Sequence, residues 1–405
     1  QAYQKLCGAM TVEFDGREQT MPQMAKYQEE TDRARRREAW ELTANRRLQD
    51  RASMDDIFNQ LVQRRRQMAR NAGCDTFVDY AFRMYHRFDY TPADCLRFHE
   101  TVESCIMPVV HANDERRREV MNLDALRPWD MAVDPLGRPP LRPFEEASEL
   151  AEKVERILRH IEPELAEQFW MMHQNGELDL ESRKGKAPGG YQYTLDEVRR
   201  PFIFMNAAGL HRDVETLLHE SGHAFHALAC RNDPLLPYRE SPIEFAEVAS
   251  MAMELFGARY YEEFYSAADA ARARRRHLES VIDVLAWIAR IDAFQHWIYT
   301  HPAHTAQERT AYWLELDERF GARLDWSGCE AVRESLWQRQ LHLFCHPFYY
   351  IEYGIAQLGA LQLWRIFQQD EAEAVRGYRR ALALGGAKPL PQLFEAAGAR
   401  FDFSQ

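Results

Sequence analysis

His219-Glu220-Ser221-Gly222-His223 spell HExxH at residues 219–223 of this 405-residue chain, inside a stretch with helical periodicity. Residues four apart on a helix share a face, so two imidazoles can reach one metal ion while the adjacent carboxylate takes a proton from an attacking water. With His219 at zero and about 100° per residue, Glu215, His219, His223 and His226 fall in a stripe about 80° wide. Val214, Leu217, Ala224, Phe225 and Leu228 gather on the opposite side, so one face reads as core and the other as the lining of a cleft. Glu220 lies at the flank of the stripe, where a general base reaches a water without ligating the metal.

A catalytic zinc takes three protein ligands and keeps one position open. Metzincin spacing requires a histidine at the tenth residue after His219, where Ala229 stands, and that pattern is excluded. Downstream, residues 240–254 offer Glu240, Glu244, Glu247 and Glu254. Ser241, Pro242 and Glu244 read as a capping box with proline at the first helical position, which makes Glu244 a cap and leaves Glu240 outside the helix. Glu247 and Glu254 remain, seven apart and opposite Phe245, Ala249, Ala252 and Phe256. Spacing alone does not say which touches the metal; Glu247 as ligand with Glu254 as its supporting partner is one consistent assignment.

The pairing of HESGHAFH with EFAEVASMAME, followed by His342-Leu343-Phe344-Cys345-His346-Pro347-Phe348-Tyr349-Tyr350-Ile351-Glu352-Tyr353-Gly354, resembles the M3 oligopeptidases, most closely the bacterial oligoendopeptidase F group. The resemblance runs from the RPWD segment near Arg127 to Phe403. It implies a mainly α, zincin-type helical metallopeptidase with a small β-sheet beside the active-site helix. It further implies one Zn2+ per chain on His219, His223 and Glu247, with Glu220 as general base. His342, Tyr350 and Tyr353 are then the donors to the scissile carbonyl and developing oxyanion. Tyr349 and His346 stay open, because a one-residue shift in aligning this segment exchanges their roles. Without the resemblance, a tyrosine cluster also fits an amphipathic core edge. Pro347 is expected to open a helix that sets these phenols on one side.

Upstream, Gly189 and Gly190 precede an apolar run at Pro201–Asn206 that reads as a strand. An edge strand beside the motif helix can pair with an extended peptide, and the glycines allow close backbone approach. Long helical patterns cover Met24–Arg47, Met54–Ala72, Ala93–Val120, Ala147–His173 and most of the chain after His211. Met10–Thr20, with an Asp15-Gly16 turn, reads as a hairpin. The Pro-rich stretch 127–143 is the expected connection between a helical portion, 1–126, and a catalytic portion, 144–405.

A net charge of -12 disfavours nucleic-acid binding, and the arginine clusters at 35–37, 64–66, 116–118 and 274–276 read as solvated helix faces. No apolar run long enough for a membrane span occurs. Seven cysteines with no CxxC pair suit reduced thiols and a cytoplasmic location. The expected partners are therefore short peptides. The oligoendopeptidase F group has a further helical domain ahead of the point corresponding to Gln1, so a separate N-terminal domain or fragment is a further expected partner. Two alternatives stand beside an active endopeptidase: an inactive zinc-binding scaffold or regulator, and a zinc carboxypeptidase or dipeptidase.

Overall fold

A computed structural model describes residues 1–183, 186 and 189–403. Among these described residues helices dominate, with one two-stranded and one three-stranded sheet, so the chain is mainly α. Local chemistry sets several helix bounds differently from the periodicity. Asp32, whose carboxylate accepts the Ala34 and Arg35 N–H groups, caps Arg33–Gln49, and the expected Met24–Arg47 helix is broken by a 3-10 turn at Ala25–Glu29 and an extended Glu30. The expected Ala93–Val120 helix carries a π segment, Val102–Ile106, where Pro108 has no N–H to return to the preceding turn. Ala147–Ile161 and Pro163–Gln174 are separate helices because Pro163 forces Glu162 to an extended conformation. The hairpin forms as read: β1 (Thr11–Phe14) and β2 (Arg17–Thr20) are antiparallel, and Asp15 and Gly16 both have positive φ, as a two-residue turn of this hand requires.

The chain gathers into two compact units, the first Gln1–Pro140 and Ile282–Ile351 together with Phe403, the second Leu141–Val281 and Glu352–Asp402. The first boundary falls inside the Pro-rich stretch, and the others fall within the helix Ala267–Thr300, just after the start of Tyr350–Gln369, and near the C-terminus.

In the first unit, two of the arginines expected on solvated faces are buried. Arg36 donates to the carbonyls of Trp129, Glu30 and Thr31, and Arg65 to those of Leu343 and Phe344 and to the Tyr299 hydroxyl. Their guanidinium groups satisfy backbone oxygens that neighbouring helices leave without partners. Asp130, wholly buried, receives Arg33 through two hydrogen bonds of 2.9 and 2.8 Å, Arg36 at 3.3 Å and the Arg127 N–H at 3.0 Å.

In the second unit, β5 (Arg200–Ala207) is the middle strand, parallel to β3 (Leu178–Glu181) and antiparallel to β4 (Tyr191–Leu195). The strand expected at the edge therefore lies at the centre, because Ile203 and Met205 alternate onto a buried face against the helix His211–Cys230. An edge falls to β4, whose Tyr191, Tyr193 and Leu195 are exposed. Lys184, Gly185, Ala187 and Pro188 of the glycine-containing stretch lie outside the described residues. All seven cysteines are free thiols, and among the described residues no helix is long and apolar enough to cross a membrane.

Burial pushes the Asp130 carboxyl up, but its arginine and backbone hydrogen bonds outweigh that and hold it below the usual carboxylate range. Its contribution is therefore complete above an unfolded pKa of about 3.9 and is lost as pH falls through the lower folded value. Asp130→Asn leaves Arg36 buried without its counter-charge and should cost about 3 kcal/mol in urea unfolding at pH 7. The loss should shrink in melts run below pH 3 or so.

Candidate metal centre

The motif helix, His211–Cys230, is preceded by a turn in which the Asp213 carboxylate accepts the N–H groups of Ala208 at 2.7 Å and Leu210 at 2.9 Å. Val214, Leu217, Leu218, Ala224 and Phe225 are buried along it. It packs on the glutamate helix, Ile243–Gly257, at a contact that leaves no room for a side chain on Gly222. A β-carbon there would lie 2.6 Å from both the Ala249 carbonyl oxygen and the Ser250 Cα. A second close approach follows at Gly257, where a β-carbon would meet the Leu218 side chain at 2.6 Å. The expected capping box is not formed. Pro242 is the N-cap and has no side-chain cap, the Ser241 hydroxyl donates to the Pro242 carbonyl, and Glu244 is buried in the first turn.

This crossing sets Glu247 opposite the two motif histidines. The Glu247 Oε2 atom lies 3.3 Å from His219 Nε2 and 3.6 Å from His223 Nε2, close to the donor separation of about 3.3 Å in a tetrahedral zinc site. Ligand atoms of the three residues all fall within 4.8 Å of one another, so two neutral imidazoles and one carboxylate fit a zinc ion. The Ser250 hydroxyl donates to the same Oε2 at 3.0 Å. Burial works against the Glu247 charge, but His219, His223 and Ser250 outweigh it and lower its pKa to about 2. Glu254 takes the other role: its Oε1 is 2.6 Å from His219 Nδ1 and accepts a hydrogen bond from it, which orients the ring so that Nε2 faces Glu247. Burial holds His223 down at about 4, which keeps it neutral and able to ligate a metal.

Behind Glu254 runs a chain of groups that spacing did not reveal. His277 Nε2 is 3.4 Å from Glu254, and its Nδ1 is 3.5 Å from Glu215 and from the Tyr261 hydroxyl. Glu215 lies 3.4 Å from His211, whose Nδ1 is 2.9 Å from the Tyr265 hydroxyl. Glu215 thus faces these histidines rather than the three-residue cluster. His226, on the same predicted stripe, is buried beside Phe245 and takes no part in the cluster. His277 sits in an arginine-rich stretch with no local motif, so only tertiary packing identifies it.

Glu220 is buried, and burial, reinforced by the Glu247 and Glu254 charges, raises its pKa to about 7 against the opposing pull of His219. The Gln192 N–H of β4 donates to it. Gly190 precedes that strand, and a β-carbon there would lie 3.1 Å from Thr216 on the motif helix; Gly189 has φ +109° and its carbonyl accepts from Asn206. The glycine pair therefore permits close approach of backbone to the motif helix.

His342, His346, Tyr349 and Tyr350 lie together in the first unit, whereas Tyr353 belongs to the second. The His342 ring centroid is 4.9 Å from that of Tyr350, 5.7 Å from Tyr349 and 6.2 Å from His346. Trp287 donates to Gln340 Oε1 at 2.9 Å, and Gln340 Nε2 donates to His342 Nδ1 at 2.7 Å. That bond puts the proton of a neutral His342 on Nε2, the donor an oxyanion needs. Burial raises Tyr350 to about 12, which keeps its phenol protonated. Pro347 does not open the helix. Phe348, wholly buried at φ +66°, intervenes, its N–H held by Gln295 at 2.6 Å and its carbonyl by Arg87, and the helix begins at Tyr350. A bulky residue in this conformation costs on the order of 1–3 kcal/mol and persists only where its surroundings fix it.

The model of Peptidase family M3 matches residues 26–405. An oligoendopeptidase F homolog of Borreliella burgdorferi is 27% identical over 308 residues, 71% of this chain and 49% of its own length. The chromosomal oligoendopeptidase F of Lactococcus lactis subsp. cremoris is 26% identical over 148 residues, 36% of this chain and 24% of its own. The chain thus spans about half the length, or less, of these curated relatives. Among solved structures, Pz peptidase A with an inhibitor superposes with a TM-score of 0.93 at 31% identity, covering 99% of this chain and 71% of that one.

Two substitutions probe the geometry. Gly222→Ala must push the motif and glutamate helices apart, with an overpacking cost of about 1–3 kcal/mol in thermal unfolding and weaker zinc binding. Glu254→Ala should lower zinc affinity by about 10- to 100-fold in a chelator competition, because His219 loses the group that orients it. Unchanged affinity in both variants would mean that neither the close helix crossing nor Glu254 governs the site.

Proposed function

The chain belongs to peptidase family M3, and on that premise we propose that it is a zinc-dependent oligoendopeptidase that hydrolyses internal bonds of short, unstructured peptides. The observation that carries the reading is the meeting of His219 Nε2, His223 Nε2 and Glu247 Oε2 on neighbouring helices, with the buried Glu220 carboxyl beside them near pKa 7. His219, His223 and Glu247 hold one zinc ion. Bound there, zinc brings the pKa of a water toward neutrality and polarises the scissile carbonyl.

Each remaining role falls to a side chain or backbone group of this chain. Glu220 takes the proton of the attacking water and returns it to the leaving amine, and a pKa near the working pH suits a group that does both. Glu254 and Ser250 keep His219 and Glu247 aimed. His342, through Nε2–H, and the phenols of Tyr350 and Tyr353 donate to the carbonyl oxygen as it gains negative charge. Loss of a comparable donor costs roughly 3–4 kcal/mol of transition-state stabilisation elsewhere. Tyr349 and His346 shape the same segment. The exposed edge strand β4, following Gly189 and Gly190, gives an extended peptide a backbone to pair with.

The charge of -12 argues against nucleic-acid partners, and the unpaired cysteines support a reducing, cytoplasmic setting. Restriction to short peptides rests on the family resemblance.

An internally quenched peptide of about ten residues tests the reading. Zinc-loaded protein should cleave it at internal bonds identified by mass spectrometry, lose activity on chelation and regain it with zinc. Glu220→Gln should bind zinc with near wild-type stoichiometry and show turnover lowered by at least about 10²-fold. Stepwise release of single residues from one end would replace the endopeptidase reading with a carboxypeptidase, and turnover by Glu220→Gln would remove Glu220 as the base.

A further inference from the structure

Two helical segments of the first unit repeat the i, i+4 spacing of metal-binding side chains, away from HExxH. Cys95 and His99 lie on the helix Pro92–Thr101, and Asp292 and His296 on Ala267–Thr300, so each pair projects from one face of its helix. All four are buried, Cys95 and Asp292 completely. The Cys95 thiol, a carboxylate oxygen of Asp292 and a ring nitrogen of His296 lie within 4.8 Å of one another. His99 Nε2 is 2.9 Å from Asp292 Oδ2, and His296 Nε2 is 3.4 Å from the same oxygen.

This is an unusual set of groups to enclose. Among the described residues Asp292 Oδ1 has no hydrogen-bond partner and His296 Nε2 has none beyond its 3.4 Å approach to Asp292 Oδ2, although solvent does not reach the carboxylate. Native structures pair almost all buried polar atoms, and an orphaned one costs on the order of 1–3 kcal/mol, more when it carries charge. A packing role alone would be met by apolar side chains of similar volume without that cost.

We propose that Cys95, Asp292 and His296 bind a divalent metal ion of the zinc class, with His99 hydrogen-bonded to Asp292 and orienting its carboxylate. A thiolate, a carboxylate and an imidazole together favour zinc or cobalt over magnesium or calcium, which take oxygen ligands. Binding replaces the Cys95 S–H bond with a sulfur–metal bond and releases that proton to solvent. The dication, thiolate and carboxylate then sum to zero charge, so the enclosed site carries no uncompensated ion. The ion ties Pro92–Thr101 to Ala267–Thr300. The His296 ring packs edge-on against Phe348 at 5.2 Å, so the ion also braces the segment that leads into Tyr350. None of this depends on the proposed peptidase activity.

The test uses the full chain carrying His219→Ala and His223→Ala, which removes the HExxH ligands. After zinc loading and desalting, elemental analysis should find about one metal per chain, against about two in the wild type. With cobalt in place of zinc, the same double variant should show a near-ultraviolet thiolate-to-cobalt charge-transfer band. Adding Cys95→Ser should remove that band. A double variant that holds neither metal nor band overturns the proposal, as does a band that survives Cys95→Ser. Should Cys95→Ser fail to fold, the metal content and cobalt spectrum of the double variant decide the matter, since they leave the cluster untouched.

Discussion

Two helices in the second unit touch at a point where a single methyl group would not fit. Because Gly222 has no side chain, the motif helix settles onto the backbone of Ala249 and Ser250. Glu247, less than one turn from that contact, consequently reaches both His219 and His223, and Glu254, two turns from Glu247, reaches the far nitrogen of His219. Moving the helices apart by even a fraction of an ångström would separate donor atoms that a small cation must meet together. The middle two residues of HExxH are variable in the motif's chemistry, yet in this chain the second of them decides whether Glu247 reaches the two histidines.

Once those groups are together, burial governs their charges. Enclosure raises the cost of every carboxylate, and the outcome differs with the neighbours. Glu247 sits between two imidazoles and beside a serine hydroxyl and stays ionised, whereas for Glu220 burial and two other carboxylates nearby outweigh His219 and the Gln192 N–H, and it is lifted to about 7. Two glutamates in one pocket are thereby separated into a permanent anion and a group able to take and release a proton. The family resemblance implies the same two roles, but the physical cause of the difference in charge lies in the environment of each carboxyl.

The first unit relies on buried arginines in an analogous way. Arg36 and Arg65 are enclosed because they meet carbonyl oxygens and, for Arg36, the wholly buried Asp130. Arg65 secures the carbonyls of Leu343 and Phe344, and Arg87 and Gln295 hold Phe348 in a left-handed conformation, so the segment bearing His342 and Tyr350 is fixed from several sides. Arginine triplets in a strongly acidic chain resemble solvated helix faces, and their periodicity could not distinguish Arg36 and Arg65, the members of two of the triplets that turn inward.

By itself the sequence determined the helical class, the hairpin at Asp15-Gly16, the motif helix and the placing of Glu247 and Glu254 on one face of a second helix. These are set by local periodicity, turn chemistry and residues at fixed spacing on one element, all of which are short-range in the chain. Tertiary structure alone decided that Glu247 faces the histidines while Glu254 stands behind His219, and that β5 is central while β4 lies at an edge. It alone brought His277 behind Glu254, the Gln192 N–H to Glu220 and Gln340 to His342. It also placed Phe348 ahead of Tyr350 and drew Cys95, Asp292 and His296 together. Those outcomes depend on which side chains meet across tens or hundreds of residues, and on how closely backbones approach where a glycine permits it, neither of which a one-dimensional pattern contains.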